Sequence, residues 1–161
     1  MPHLYNNTDP ISMNCLLAIF SLLLLSRISI FAQSDEAEIL KLLEAETTYF
    51  LDHSLAEVVQ QFWVLDEHTR MNIYNEIDKA ARTLNKEDML SMTEIPPSNH
   101  ATFHKDNHKL YINGNMGFES HDQIVTMQGG YQLISHELRI LEKVAGTWKI
   151  HISSVQLYNP K

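Results

Sequence analysis

The period of the hydrophobic pattern changes part-way along this chain, and that change restricts the fold more than any other feature. Before Pro96-Pro97 the apolar residues recur every three or four positions, which is typical of helices with one buried face. After the two prolines they alternate with polar residues, which is typical of strands. Helices followed by strands pack as a helical layer on an antiparallel sheet, so the sequence predicts an α+β domain.

Three segments before the prolines have the helical period. The first, residues 35–51, has an acidic first turn that suits the helix dipole. The second, residues 55–62, follows Ser54, which forms a capping box with Glu57 three positions later. Residues 73–84 have the same spacing of apolar positions and are predicted to form a third helix.

Glycine-containing turns divide the second half into strands. They are Asn113-Gly114, which is typical of a type I′ hairpin, Gly129-Gly130 and Ala145-Gly146. The alternation predicts these inward-facing residues: Met116, Phe118, Ser120 and Asp122 on one strand, Ile134, His136, Leu138 and Ile140 on the next, and Trp148, Ile150 and Ile152 on the last.

The beginning of the chain has the composition of an export signal. Residues 15–25 are almost wholly apolar and the small residue Ala32 follows, which predicts a signal peptide and leader over residues 1–32, cleaved near Ala32. The mature domain, residues 33–161, is then secreted or periplasmic. The apolar run is about half of the roughly 20 residues that a membrane-spanning helix needs, so no permanent membrane anchor is expected. The only cysteine, Cys15, lies in the signal, which excludes disulfides and cysteine nucleophiles from the mature domain.

The net charge of the chain is −8 with histidine neutral, so its surface repels phosphate backbones and no nucleic acid partner is expected. Phosphate-binding loops, dinucleotide fingerprints, serine-hydrolase elbows and zinc-protease motifs are absent from the sequence. No cofactor is predicted. His104 and His108 are four residues apart, but on a strand this spacing separates them by roughly 13 Å, so no metal site is predicted either.

Six short motifs, in their order along the chain, carry a resemblance to a known family. They are Glu46-Thr47, Trp63-Val64-Leu65-Asp66, Ile112-Asn113-Gly114-Asn115, Asp122-Gln123, the run from Ser135 to Lys143, and Gly146-Thr147-Trp148-Lys149-Ile150. Over about residues 35–158 the chain resembles the SnoaL-like branch of the nuclear transport factor 2-like superfamily. The resemblance implies a curved antiparallel sheet, wrapped by about three N-terminal helices into a cone that opens to a pocket. It also implies a homodimer formed through the open face of the sheet.

The acid and tyrosine pair of ketosteroid isomerases, and the His-Asp pair of scytalone dehydratases, have no matching motifs here, so no catalytic role transfers. From the alternation alone, Asp122 and His136 are expected to meet inside the cone and to act as an acid-base pair. The alternative is a core histidine and a strand-end aspartate. The predicted pocket residues are Tyr49, Trp63, His104, Phe118 and Leu138, with core filling as the alternative for the rings.

The sequence therefore supports three hypotheses. The first is an exported domain of the SnoaL-like type that binds a small, largely apolar molecule, without assured catalysis. The second is an isomerase, dehydratase or cyclase that uses Asp122 and His136. The third is a dimeric interaction module, and fold alone does not decide between them.

Overall fold

The computed structural model describes residues 35–95 and 101–158. The predicted signal peptide and Pro96-Pro97 lie outside these residues. Within them, no helix is both long enough and apolar enough to cross a membrane. The elements are α1 (35–50), α2 (Leu55–Phe62), β1 (Arg70–Asn75), β2 (Ala80–Asn85), α3 (Lys86–Ser91), β3 (Thr102–Asn113), β4 (Met116–Thr126), β5 (Gln132–Val144) and β6 (Thr147–Tyr158).

The strands form one six-stranded sheet with the order β2-β1-β6-β5-β4-β3. Strands β3 to β6 make an antiparallel meander, as predicted, and β1 joins the meander by pairing in parallel with β6. The α+β fold class is confirmed. We call the sheet face that carries the hydrophobic core the inner face, and the opposite one the outer face.

The second helix is confirmed at its predicted position. The backbone N–H of Glu57 donates to Ser54 Oγ at 3.3 Å, and the backbone N–H of Ser54 donates to Glu57 Oε2 at 2.9 Å. These two hydrogen bonds satisfy the backbone N–H groups of Ser54 and Glu57, which would otherwise have no partner at the start of the helix. The buried residues Val58 and Val59 then hold α2 against the core.

The predicted third helix at residues 73–84 is wrong. These residues form the β1–β2 hairpin, in which Ile73 pairs with Arg82 and Lys79 occupies the turn with a φ of 52°. Ile73 and Leu84 face the same side in the hairpin, as they would in a helix, so their spacing did not distinguish the two structures. A short helix, α3, does follow directly, because Asn85 caps it and accepts from the backbone N–H of Asp88 at 2.8 Å.

The hairpin between β3 and β4 is confirmed, but its predicted type I′ turn is wrong. The turn residues are Gly114 and Asn115, and only Gly114 has a positive φ, of 60°. One positive φ at the first position belongs to a type II′ turn. The type I′ pattern occurs instead at Ala145 and Gly146, whose φ angles are 50° and 83°.

The hydrophobic core lies between the helices and one end of the sheet. Trp63 follows α2 and pairs through a parallel bridge with Ile150 of β6, and both are almost fully buried. Gly117 of β4 lets α1 approach closely, because a Cβ at this position would lie 3.2 Å from Ile39 Cδ1. The cluster comprises Ile39, Leu43, Leu55, Val59, Trp63, Met89, Leu141, Trp148 and Ile150.

A β-bulge changes the side to which β6 presents its residues. Ile140 pairs with Ile152, whereas the next residue, Leu141, pairs with Ile150, so His151 is an extra residue in β6. Ile150 therefore faces the core, as predicted, and Ile152 lies on the outer face, contrary to prediction.

Candidate functional site

The inner face of the central strands is polar, and this reverses the prediction from alternation. Along β4 and β5 the buried side chains other than Leu141 are charged or hydrogen-bonding, and most of their apolar neighbours occupy the outer face. The predicted inward assignments for these two strands are therefore wrong. The buried polar residues are Glu119, Ser120, His121, Gln123, Ser135, Glu137 and Arg139, and all but Ser120 lie on the inner face.

A cavity of about 680 Å³ opens on the inner face. Most of its wall is apolar, and its most deeply buried lining residues are polar. The apolar lining is Phe50, Leu55, Met71, Ile73, Leu84, Met92, Ile95, Val125, Leu133, Val155 and Leu157. The polar lining is Glu46, Thr47, Ser91, Thr93, Glu94, Gln123, Ser135, Glu137 and Arg139.

Arg139 is the centre of the charged group at this cavity. Its Nη2 donates to Glu137 Oε2 at 2.5 Å and lies 3.9 Å from Glu46 Oε2, and its Nη1 donates to Ser153 Oγ. Burial alone would lower the pKa of Arg139, but the negative charges of Glu137 and Glu46 raise it. The guanidinium is therefore a fixed cation in the cavity wall.

Glu137 is held ionised beside it. Its Oε1 accepts from Gln123 Nε2 at 3.0 Å and from Ser135 Oγ at 3.1 Å. Burial acts to raise the pKa of Glu137, and the charges of Arg139, His121 and Lys105 outweigh that effect and lower it. A buried carboxylate with these partners is satisfied without water.

Lys105 of β3 brings a second cation close to the cavity. Its Nζ donates to the backbone carbonyl of Leu43 in α1 at 2.9 Å. Burial lowers the pKa of Lys105, while the nearby charges of Glu46 and Glu137 act to raise it. Two carboxylates and two cations thus balance one another around the polar end of the cavity.

Next to this group, two histidines flank a third buried carboxylate, that of Glu119. Glu119 Oε1 lies 2.7 Å from His108 Nδ1, and Glu119 Oε2 lies 2.9 Å from His121 Nδ1. Glu119 and His121 are fully buried, whereas the side chain of His108 is 34% exposed. Burial acts to raise the pKa of Glu119, but the hydrogen bond and charge of His121, followed by those of His108, lower it.

The predicted pair Asp122 and His136 does form, with Asp122 Oδ1 2.8 Å from His136 Nδ1. Its predicted position inside the cone is wrong, because both side chains lie on the outer face and are nearly half exposed. Asn107 Nδ2 also donates to Asp122 Oδ2 at 2.6 Å, and this bond, followed by that of His136, lowers the pKa of Asp122. The pair has no contact with the cavity.

The predicted pocket lining is also wrong, since none of the five residues is among the described residues that line the cavity. Trp63 fills the core, and Tyr49 stacks on His53 with ring centroids 3.5 Å apart. His104, Phe118 and Leu138 lie on the outer face. The alternative of core filling is correct for Trp63.

The sequence prediction missed cavity residues that are direct neighbours, along the chain, of the predicted site residues and lie on the opposite face of the same strand. Gln123 adjoins Asp122 along the chain, and Glu137 adjoins both His136 and Leu138. The available signal was a strict polar alternation on two paired strands. Alternation defines two faces, but the identity of the buried one depended on partners contributed from α1 and β3.

No protein-family model matches the sequence, and comparison with curated proteins gave no match. Solved structures do resemble the fold. An NTF2-like protein of unknown function from Methylobacillus flagellatus aligns over 78% of this chain and 94% of its own, with a TM-score of 0.57 and 14% identity. The fold is NTF2-like.

Two further structures agree with this assignment. An NTF2-like protein with a cystatin-like fold from Novosphingobium aromaticivorans covers 95% of this chain and 94% of its own, with a TM-score of 0.57 and 12% identity. A protein of unknown function from Pectobacterium atrosepticum covers 76% and 90%, with a TM-score of 0.57 and 18% identity. At such identities the NTF2-like fold is shared, and activity has to be argued from the site itself.

Proposed function

We propose that this NTF2-like chain is an exported domain of the SnoaL-like type that binds a small molecule with an apolar body and a polar head group. The observation that carries the proposal is the cavity of about 680 Å³ with apolar walls and a buried polar end. Its volume lies in the range of small-molecule sites, which combine apolar lining with a few placed polar groups.

The charges around the polar end favour a neutral head group. Glu46 and Glu137 are balanced by Arg139 and Lys105, so a charged ligand group would have no unpaired opposite charge to meet. An ion taken from water into such a site loses more hydration energy than a hydroxyl or an amide does.

Two buried atoms at this end have no hydrogen-bond partner among the described residues. Arg139 Nε is a donor and Gln123 Oε1 is an acceptor. Both atoms are covered by neighbouring side chains, so a ligand hydroxyl or primary amide that shifts this lining would accept from the first and donate to the second. This complementarity supports an alcohol or amide head group attached to an apolar body.

The binding proposal is tested with a neutral solvatochromic dye, Nile red, whose fluorescence rises in an apolar site. Val125 lines the cavity, and its neighbour Ile124 lies on the outer face. We expect Val125→Trp, which fills the cavity, to weaken dye binding at least about tenfold, and the matched control Ile124→Trp to keep it. Equal binding of the dye by both variants would contradict the proposal. Independently, native mass spectrometry of the purified wild-type protein identifies any ligand that co-purifies with it.

Export is supported by the sequence alone, through the apolar residues 15–25 and the small residue Ala32. We expect the protein to be found outside the cytoplasm with an intact mass that matches a chain starting at Gln33. Leu22→Arg, which interrupts the apolar run, should keep it inside at full mass. A wild-type protein retained in the cytoplasm with residues 1–32 attached would overturn the export proposal.

A homodimer is favoured by the outer face of the sheet. Tyr111 is 80% exposed and Phe118 is 41% exposed, and the two residues pair across β3 and β4. The central carboxylate of this face, Asp122, is already bonded to His136 and Asn107, so the face requires no charged partner. A second copy of the chain presents the same apolar surface and can cover it.

Sedimentation tests the dimer. We expect twice the mass of the mature chain, and a monomer for Phe118→Glu, which places a charge in the apolar face. Ile77→Glu, at an exposed position in the β1–β2 turn, is the matched control and should remain dimeric. A wild-type protein that stays monomeric at high concentration would contradict the dimer.

The isomerase, dehydratase or cyclase hypothesis required Asp122 and His136 to share the cavity with a substrate. They lie on the opposite face of the sheet, so we do not carry that alternative forward.

A further inference from the structure

We propose that His108, Glu119 and His121 form a binding site for one divalent transition-metal ion of the zinc class. Each residue offers one ligand atom, and the three atoms lie within 4.8 Å of one another. The site is separate from the cavity lining and uses residues of β3 and β4.

The spacing of the donor atoms suits a metal ion. The two imidazole Nδ1 atoms lie 2.7 and 2.9 Å from oxygens of the same carboxylate. Ligands bonded at about 2.1 Å with angles between 90° and 109° lie roughly 3.0 to 3.4 Å apart. Glu119 Oε1 lies 3.1 Å from His121 Nδ1, within this range, and a small rotation of the more exposed His108 would lengthen its 2.7 Å separation from the same oxygen into the range.

The surroundings of His121 call for a cation. This imidazole is fully buried, with Glu119 Oε2 2.9 Å from Nδ1 and Glu137 Oε2 3.7 Å from Nε2. A neutral imidazole has one N–H and one lone pair, so one of these carboxylates faces a lone pair whichever tautomer forms. A metal ion at that nitrogen removes the repulsion in this dry site.

Glu137 favours the metal ion at Nδ1. When a histidine binds a metal through one nitrogen, the other N–H commonly donates to a carboxylate, which fixes the ring orientation. His121 Nε2 has no hydrogen-bond partner among the described residues, and Glu137 is the carboxylate beside it. With a metal ion at Nδ1, the N–H at the buried Nε2 faces the Glu137 carboxylate and is positioned to donate to it.

The path to solvent runs past His108. This residue follows Asn107, whose φ of 56° marks the irregularity between β3 and β4, and among the described strands β3 pairs only with β4. Two imidazoles and one carboxylate are ligands for zinc, iron(II) and cobalt(II), whereas magnesium and calcium prefer oxygen. Three protein ligands leave a coordination position open on the His108 side.

The test is a cobalt(II) titration of the full chain, expressed without a polyhistidine tag and stripped with a chelator. Cobalt reports its geometry by ligand-field absorption, and zinc should displace it. We expect one equivalent to bind wild type, and His108→Ala to weaken the affinity at least about tenfold. His104→Ala is the matched control, because His104 is on the same strand but on the outer face. It should bind like wild type.

Glu119→Gln provides a second variant that keeps the side-chain size and removes the charged ligand. Circular dichroism establishes that each variant is folded before titration. Cobalt binding that is absent from wild type, or that is equal in wild type, His108→Ala and Glu119→Gln, would overturn the site. Loss of cobalt binding in His104→Ala, with binding retained in the other two variants, would place the metal on the outer face and would also overturn the proposed site.

Discussion

Arg139 donates to Glu137 with Nη2 and Oε2 2.5 Å apart, and the two side chains are only 6% and 5% exposed. They are two residues apart on the inner face of β5, where the alternation of the sequence predicts outward-facing residues. Because neither charge reaches water, each depends on the other for its stability in the folded state.

Removing one partner of this pair should therefore cost far more than removing a surface charge. We expect Arg139→Met to lower the free energy of unfolding by about 3–5 kcal/mol, because it leaves Glu137 buried without its main cation. Urea denaturation measures the change. Arg82→Met, at an exposed position of β2, should stay within about 0.5 kcal/mol of wild type.

The double variant Arg139→Met with Glu137→Leu separates pairing from packing. It removes both charges, so we expect a smaller loss than in Arg139→Met alone. If the loss in the double variant equals the sum of the losses in Arg139→Met and Glu137→Leu measured separately, the two charges do not depend on each other.

Close approach of α1 to the sheet depends on Gly117. We expect Gly117→Val to destabilise the fold by about 1–3 kcal/mol, because a side chain there must displace Ile39, 3.2 Å from the position of a Cβ. Ile39→Val deletes the nearest methyl group, so in a double-mutant cycle it should recover part of the loss. Strict additivity in thermal unfolding would contradict this contact.

The capping box of α2 predicts a local stability loss. Ser54→Ala removes the side-chain oxygen that accepts from Glu57 and should cost about 1 kcal/mol. Ser54→Thr keeps the hydroxyl, which also donates to Glu57 Oε2 at 2.8 Å, and should lose less. Guanidinium denaturation compares the two variants, and equal losses would assign the effect to the burial of Ser54 instead.

Asp66 makes stability depend on acid pH. Desolvation acts to raise its pKa, but the backbone N–H of His68, the side chain of His151 and Thr69 lower it from 3.8 to about 2. A carboxyl with a lowered pKa in the folded state stabilises the protein fully above its unfolded pKa. Its contribution should be complete above about pH 4 and decline as the pH falls from 3.8 towards 2.

Asp66→Asn tests this prediction through urea denaturation at a series of pH values. The difference in unfolding free energy between wild type and variant should shrink as the pH falls through that acid interval. A difference that does not change with pH would show that the charge of Asp66 does not contribute.

The sequence predicted elements wherever the signal was local. The α2 helix follows from the capping box of Ser54 and Glu57, and the β3–β4 hairpin from Gly114, because both depend on neighbouring backbone atoms. Residues 73–84 were mispredicted because their spacing fits two structures, and pairing with β6 selects the strand. Local propensity gives way to such tertiary contacts.

The sequence by itself therefore determined the α+β class, the second helix and the positions of the turns in the meander. Only the tertiary structure decided which face of β4 and β5 is buried. Glu137 and Arg139 can lie inside because Glu46 of α1 and Lys105 of β3 meet them there and balance their charge. Those partners are distant along the chain, and a period of two distinguishes two faces of a strand without stating which one is covered.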